Sequence, residues 1–476
     1  MADLDLGVDL GVAQTKLAVL DRRREPVAPM RATVTSAIDD GDGPPVEDFV
    51  AAYGCARGGF RRPSGARPPD ELLRGFVTEL LRAPADTRDG RFGPPRRSVV
   101  AVPHSWWVGE PSPAAVLEDR LFGSDDMDGR LVSQPIAAAT YLCRRDPALR
   151  NVPLIVCDLG VSAVRISVCR SADGRVDLLQ HAEVAPGTQP RRFDVDAALA
   201  DHVLRNRAGP AVDVRLLRRM IGHARAHLVP AEEAALWEGP RALFGAEPYV
   251  TAGGCTLTYD AAEAATAPMT EVAADLAREV GATVSGLSGG SWRVALLGGG
   301  ALFRPLARAV LDALGVGAAG VDARLVPLDR DTVLAAAAFG AALIAGREVD
   351  PGDRYPYAVA LQARQVSGGR LEPVEVLLAR AGELRAGGRS LPGRYRGAPV
   401  PIHFADDDRE VELIVSDRSG KLRSLRVAPP ATLRGGTFTV ALHQRPTREC
   451  VLLCGSGGAA RQEWELGVLP AAGEGV

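Results

Sequence analysis

One short pattern is written twice in this chain, and it restricts the available folds more than any other feature. Leu6-Gly7-Val8-Asp9-Leu10-Gly11 stands near the start, and Leu154-Ile155-Val156-Cys157-Asp158-Leu159-Gly160 repeats it far downstream. Each copy is an apolar run that ends in Asp-Leu-Gly and leads into a second apolar run, Lys16 to Leu20 or Val164 to Cys169. Apolar runs flanking a glycine turn read as an antiparallel hairpin. The turn places a carboxylate at the strand end beside backbone N–H groups. Two such hairpins facing each other across a gap would grip a polyphosphate and its metal from both sides.

Bulk properties narrow the setting. The chain has 476 residues, of which 46% are apolar, enough for two to four domains with real cores. A net charge of −3 gives no argument for nucleic acid or an anionic membrane as partner. Lys16 and Lys421 are the only lysines, so lysine-dependent chemistry has two places to occur. Seven cysteines are odd in number and scattered, and Cys450 with Cys454 is too small a set for structural zinc. A reducing compartment is expected. Met-Ala-Asp-Leu-Asp lacks a signal-peptide pattern, and the apolar stretch Val333 to Ala345 is too short to span a bilayer. A cytoplasmic, non-membrane protein is the expectation.

Along the chain, a polar stretch without periodicity follows the first hairpin up to about residue 69. Pro69-Asp70-Glu71 then opens a helix with apolar residues at 72, 73, 76, 80 and 81. Ser98 to Val102 reads as a buried strand stopped by Pro103, Ser112-Pro113 as a helix start, and Pro135 as another. Residues 190–290 read as mostly helical, including Asp213 to Leu228 and Ala261 to Glu279, with a strand at Cys255 to Thr258. Val294 to Leu297 is a strand running into Gly298-Gly299-Gly300, followed by helices at Phe303 to Leu314 and 331–345. After Asp350-Pro351-Gly352-Asp353 the texture changes to short alternating segments: 357–363, 374–378, 411–415, 422–427, 438–442 and 450–453. These predict a β-sandwich.

In order, these pieces resemble the actin–hexokinase–heat-shock ATPase superfamily, and within it the seventy-kilodalton heat-shock chaperones. Gly7-Val8-Asp9-Leu10-Gly11 is similar to the first phosphate loop, and Val99 to Pro103 to the strand that heat-shock chaperones carry and sugar kinases lack. Gln134-Pro135-Ile136-Ala137-Ala138-Ala139 resembles the first connector helix between the lobes, and Asp158-Leu159-Gly160 the second phosphate loop. Leu297 to Gly300 resembles the adenosine loop, and Ala338-Phe339-Gly340-Ala341-Ala342 the second connector. The resemblance implies an α/β chain: a two-lobed, duplicated ribonuclease-H-like (actin-like) nucleotide-binding domain over about 1–346, then a C-terminal β-sandwich. Lobe I is expected over about 1–153, lobe II over 154–330 and a returning helix over 331–346. A linker at 347–353 would lead to a peptide- or partner-binding sandwich at 354–470. The family's apolar linker is replaced by Arg347-Glu348-Val349-Asp350-Pro351-Gly352-Asp353, and a short relative without the helical lid is the expectation.

That resemblance implies ATP or ADP as ligand. Asp9 and Asp158 would position Mg²⁺ through its waters and, in catalysis, the attacking water. Gly11, Val12, Ala13, Gly160, Val161 and Ser162 would offer backbone amides to phosphate, with a hydroxyl from Thr15. Gly298, Gly299 and Gly300 would let the backbone approach the α-phosphate and ribose. Arg225 falls where the family sets a basic residue against adenine, and Lys16 is expected to face solvent. Catalytic parts are missing. Val12 and Ala13 replace hydroxyl residues, Val161 tolerates a glycine-type turn poorly, and Gln134 replaces an acid. No lysine occurs in 22–69. Such groups each lower the barrier by roughly 2–4 kcal/mol, so a slow or lost ATPase is expected.

The reading that follows is a chaperone-like protein coupling nucleotide state to binding of a polypeptide client. A small-molecule kinase of sugar type is the first alternative, and a nucleotide-independent scaffold the second. His223 and His227, one helical turn apart, have no third ligand in sight and read as surface histidines. Trp106-Trp107 reads as packing, and the adjacent His104 and Ser105 are badly placed for a triad.

Overall fold

The structure is a computed structural model. It describes residues 4–11, 14–21, 30–35, 50, 68–82, 95–107, 112–122, 128–160, 163–172, 175–184, 193–206, 213–226, 245–252, 254–288, 291–317, 323–349, 355, 357–367, 370–380, 383–385, 390–416, 422–445, 449–456 and 461–469. The chain is mixed α/β with several sheets and a large antiparallel sheet at its C-terminal end. It divides into two compact units: 1–101 with 134–349, and 102–133 with 350–476. Among the described residues no helix is long and apolar enough to cross a membrane.

The first unit contains the same four-strand array twice. β1 (Leu4–Asp9) pairs antiparallel with β2 (Gln14–Asp21), β2 antiparallel with β3 (Met30–Thr35), and β1 parallel with β4 (Arg97–Val102). The helix α1 (Pro69–Arg82) starts at the proline and acids that the sequence marks. In the second array β6 (Leu154–Leu159) pairs antiparallel with β7 (Val164–Ala172), and β7 antiparallel with β8 (Arg175–Glu183). β6 pairs parallel with β11 (Arg293–Leu297). Order and direction agree strand for strand, so the duplicated sequence pattern is a duplicated topology. β1, with burial on both faces, and β6 are near-continuous apolar runs, as expected of strands covered on two sides.

Helices exchange between the arrays. α3 (Gln134–Arg145) packs on β6, β7 and β8 of the second array. The helix α8 (Arg330–Ala345), which follows the second array in sequence, packs back on β1 and β2 of the first. Asp329 caps α8 by accepting the Thr332 N–H at 2.8 Å. The two helices cross at a contact that only glycine permits: a Cβ on Gly340 would stand 1.7 Å from the Ala137 carbonyl oxygen. Gly7 of β1 is equally confined, since its Cβ would lie 2.2 Å from both Ala338 O and Ala342 N of α8. Tyr141 and Phe339 meet in a tilted ring contact beside the crossing, centroids 5.0 Å apart.

The core of the second array is closed by helices. α4 (Val195–Asn206) begins at Asp194, whose carboxylate accepts the Ala197 N–H at 3.0 Å, and α5 (Val214–Ala226) at Asp213, which accepts from Arg215 at 2.8 Å. After the short hairpin β9 (Pro248–Ala252) and β10 (Cys255–Thr258) comes α6 (Tyr259–Ser288). α7 (Arg304–Ala313) follows β11 and the glycine turn. Leu199, Leu217, Ile221, Tyr249, Ala277, Val294 and Phe303 bury a single apolar core with β6 and β7.

The second unit joins a central segment to the C-terminal sheet. The segment holds a 3₁₀ turn (His104–Trp107), α2 (Pro113–Phe122) and β5 (Asp128–Ser133). Trp106 and Trp107 are buried, in line with a packing role. The main C-terminal strands are β12 (Ala358–Ser367), β13 (Arg370–Ala379), β18 (Val411–Ser416), β19 (Leu422–Val427), β20 (Thr437–Gln444), β21 (Glu449–Gly455) and β22 (Gln462–Val468). Between them lie β14 (Leu391–Pro392), β15 (Arg394–Tyr395), β16 (Ala398–Pro399) and β17 (Pro401–His403). Alternate residues of β13, β18 and β20 are buried in a common core with Phe404 and Trp464. Arg385 ties the segment to this domain. It pairs with Glu118, donates to the Leu131 carbonyl at 3.0 Å, and lies 4.5 Å over the Trp107 ring. The guanidinium is thus held by an acid, a carbonyl and an aromatic face although the residue is only 7% exposed.

Candidate functional site

Asp9 ends β1 and Asp158 falls one residue before the end of β6, each beside the end of its parallel neighbour: Ala101 of β4 and Leu297 of β11. Carboxyl ends of parallel strands are where α/β sheets present ligand sites. The opposite neighbour of each aspartate is a cation. Lys16 is in register with Asp9 across β1–β2, and Arg165 is in register with Asp158 across β6–β7. Lys16 Nζ lies 3.4 Å from Asp9 Oδ2, and Arg165 Nη1 lies 3.4 Å from Asp158 Oδ2. Lys16 therefore does not face bulk solvent as expected. Its side chain is 18% exposed and turned onto Asp9.

Gln134, the first residue of α3, completes the first carboxylate. Its Nε2 donates to Asp9 Oδ1 at 2.8 Å and to the Leu10 carbonyl at 3.2 Å. Two acceptors fix which end of the amide is the nitrogen. The other end, Oε1, is buried and has no hydrogen-bond partner among the described residues. A buried acceptor of this kind needs a donor, and the described residues do not supply one.

The second carboxylate is bordered by the glycine turn. Gly298 has φ +85°, and a Cβ there would lie 2.7 Å from the Leu159 carbonyl and 2.8 Å from Asp158 Oδ1. Gly300 is similarly pressed on Leu159, while Gly299 is open. Glycine is required at 298 by both the left-handed backbone and the close approach. The two motifs that the sequence places far apart thus touch. Burial raises the Asp158 carboxyl above the usual carboxylate range, and the Asp9 charge adds to the rise. Arg165 and, more weakly, Lys16 act in the opposite direction. Asp158 therefore feels both charges of the first hairpin.

Other expected phosphate contacts are differently employed. The Gly11 N–H donates to the Asp9 carbonyl at 3.1 Å, and the Gly160 N–H to the Ala163 carbonyl at 3.1 Å, closing its own hairpin. Thr15 is fully buried, so its hydroxyl is not presented to a ligand. The Gly298 N–H donates to the Val333 carbonyl at 2.8 Å. Arg225 is a core anchor: it ion-pairs with Asp196, donates to the Tyr249 hydroxyl at 3.0 Å, and lies 5.2 Å from the Phe303 ring centroid. Val12, Ala13, Val161 and Ser162 lie outside the described residues, as does His227.

Magnesium can be tested against this donor set. Both Asp9 oxygens have partners in the chain, and Arg165 occupies Asp158 Oδ2, leaving Asp158 Oδ1. Among the described residues no group of three or more His, Cys, Asp or Glu is placed to hold a metal. A small hard cation wants several oxygen ligands, and two resident cations already neutralise the aspartates. The residues do not fit a bridging Mg²⁺.

The pairing of Lys16 and Arg165 is the part that motif reading passed over. Its signal is present: a basic residue stands seven positions after the aspartate in both copies. In a hairpin that spacing puts the two side chains in register. No protein-family model and no curated protein matches this chain.

Proposed function

We propose that this protein is a nucleotide-responsive binding protein. Its first unit would be a two-lobed, actin-like nucleotide-binding domain, and its C-terminal antiparallel domain, read as a β-sandwich, would take a polypeptide partner. Phosphoryl transfer would be slow or lost. The observation that carries this reading is the matching place of Asp9 and Asp158 in two arrays of identical topology, with Gly298 pressed onto Asp158 and the Asp9 charge acting on it. The exchanged helices α3 and α8, in contact at Gly340 and Ala137, supply the kind of element through which occupancy of such a cleft changes its closure.

Within this reading, Lys16 and Arg165 bind and orient the phosphate chain, and the Gly298–Gly300 turn leaves room for the sugar. Gln134 offers an amide, not a carboxylate, where a proton acceptor would be needed, and this favours binding over turnover. Isothermal titration with ADP and with ATP tests the proposal. Saturable binding with at most trace hydrolysis is expected, and the absence of heat with both nucleotides in every buffer would reject it.

A nucleotide-independent scaffold is favoured by one observation, the use of the Gly11 and Gly160 N–H groups inside their own hairpins. The double variant Asp9→Asn/Asp158→Asn separates the readings. A scaffold keeps partner binding unchanged, whereas a responsive protein loses its nucleotide dependence.

A further inference from the structure

The two hairpins carry more than paired aspartates. They carry paired aspartate–cation couples, Asp9 with Lys16 and Asp158 with Arg165, each at the same register position and each 3.4 Å apart. We infer that this site takes the phosphate chain of a nucleoside di- or triphosphate without a divalent metal, with Lys16 and Arg165 supplying the positive charge. The inference rests on the nucleotide-binding reading and adds its metal requirement.

Three observations support it. First, the carboxylate oxygens that a hydrated cation would need are engaged: Asp9 Oδ1 by Gln134, Asp9 Oδ2 by Lys16 and Asp158 Oδ2 by Arg165. A metal would have to displace a tethered ammonium and a guanidinium, both held by covalent register at high local concentration. Second, these cations retain donors. An ammonium has three N–H groups and a guanidinium five. Among the described residues Lys16 pairs with one carboxylate oxygen, and Arg165 with Asp158 and Glu183. Each can hold its aspartate and donate to a phosphate oxygen at the same time. Third, Gln134 Oε1 is a buried acceptor with no partner among the described residues, placed next to Asp9. A site still waiting for a donor at that point suits a ligand that arrives with its own water or hydroxyl.

The remaining charges agree in direction. Glu183 lies 3.3 Å from Arg165 Nε and takes part of its charge, so the second couple is the weaker anion site. Among the described residues Lys16 forms one ion pair, with Asp9, and is the stronger one.

Thermal unfolding and titration of the full chain with ADP, in EDTA and again in Mg²⁺, test the inference. Equal stabilisation and equal affinity in the two buffers are expected. Lys16→Met should weaken ADP binding by about tenfold or more in EDTA, the loss of one charged hydrogen bond. It should also create a magnesium dependence that the unsubstituted chain lacks, by uncovering Asp9. Lys16→Arg should restore metal-free binding. Should Lys16→Met fail to fold, Arg165→Met gives the same comparison with a smaller loss. Stabilisation of the unsubstituted protein in Mg²⁺ alone would overturn this inference and leave nucleotide binding standing. No stabilisation in either buffer would overturn both.

Discussion

At the first hairpin Asp9 gives one oxygen to Lys16 and the other to the Gln134 amide; at the second, Asp158 gives one to Arg165 and turns the other toward Gly298. The backbone, register and cation are common to both. The neighbours differ because the elements packed on each strand differ. β1 lies under α8 so closely that residue 7 must be glycine, whereas the matching position in β6 is the buried Val156. Asp9 sits 10% exposed with two donors, while Asp158 is 31% exposed and carries a raised carboxyl. A duplicated element can therefore keep its chemistry while each copy acquires its own energetic weak point.

The sharpest way to break this comparison is at the backbone contacts. Gly7→Ala would drive a methyl group into two backbone atoms of α8 and should cost about 3 kcal/mol or more, as should Gly340→Ala. Val156→Ala, its counterpart, only opens a small cavity and should cost about 2 kcal/mol. Urea unfolding of the three variants measures the asymmetry, and equal midpoints for Gly7→Ala and Val156→Ala would erase it.

Next in size are the couples themselves. Lys16→Met leaves Asp9 largely buried and short of its cation, a loss of about 2 kcal/mol, and Arg165→Met should cost about half that. Arg165 already divides its charge between Asp158 and Glu183, so its removal takes less from Asp158. Denaturant titration of both variants at neutral pH decides the order.

Gln134→Glu probes the first hairpin alone. It exchanges a donor for an acceptor facing Asp9 Oδ1 and the Leu10 carbonyl, and should destabilise by about 1–2 kcal/mol at neutral pH. Protonation of the introduced glutamate should recover most of this as the pH falls.

The smallest effect belongs to Asp158→Asn. Because the folded-state carboxyl is raised, its proton stabilises the fold, and that contribution is lost as pH rises through the folded value. Asparagine removes the penalty. The variant should match the parent at acid pH and exceed it at neutral pH, by no more than about 0.5 kcal/mol. A parent more stable than the variant at neutral pH would contradict the sign.

Much of the framework was legible because apolar runs and turn residues mark it. The strands at 255–258 and 422–427 fall where the sequence puts them, and the helices at 69, 113 and 330 start at proline or beside an aspartate cap. Met30–Thr35 is hidden by its polar, Arg-rich surroundings. The two- and three-residue strands between 391 and 403 are too short to show any period, and their pairing is tertiary. At the site, Asp9, Asp158 and Gly298 were readable from motif and turn chemistry. The anchoring of Arg225 is not legible because Asp196 and Tyr249, which hold it, are distant in sequence. Gln134 was valued for the acid it lacks, and its donated amide became visible only with α3 set against the end of β1.

Arg385 has a practical consequence for anyone dividing this chain. Cutting after residue 349, where the sequence invites it, would strip Glu118, the Leu131 carbonyl and the Trp107 ring of the side chain that covers them. The amputated half would present a raw acidic and aromatic scar. It should clump on purification, and a graft of the far piece alone would inherit a guanidinium with nothing to hold.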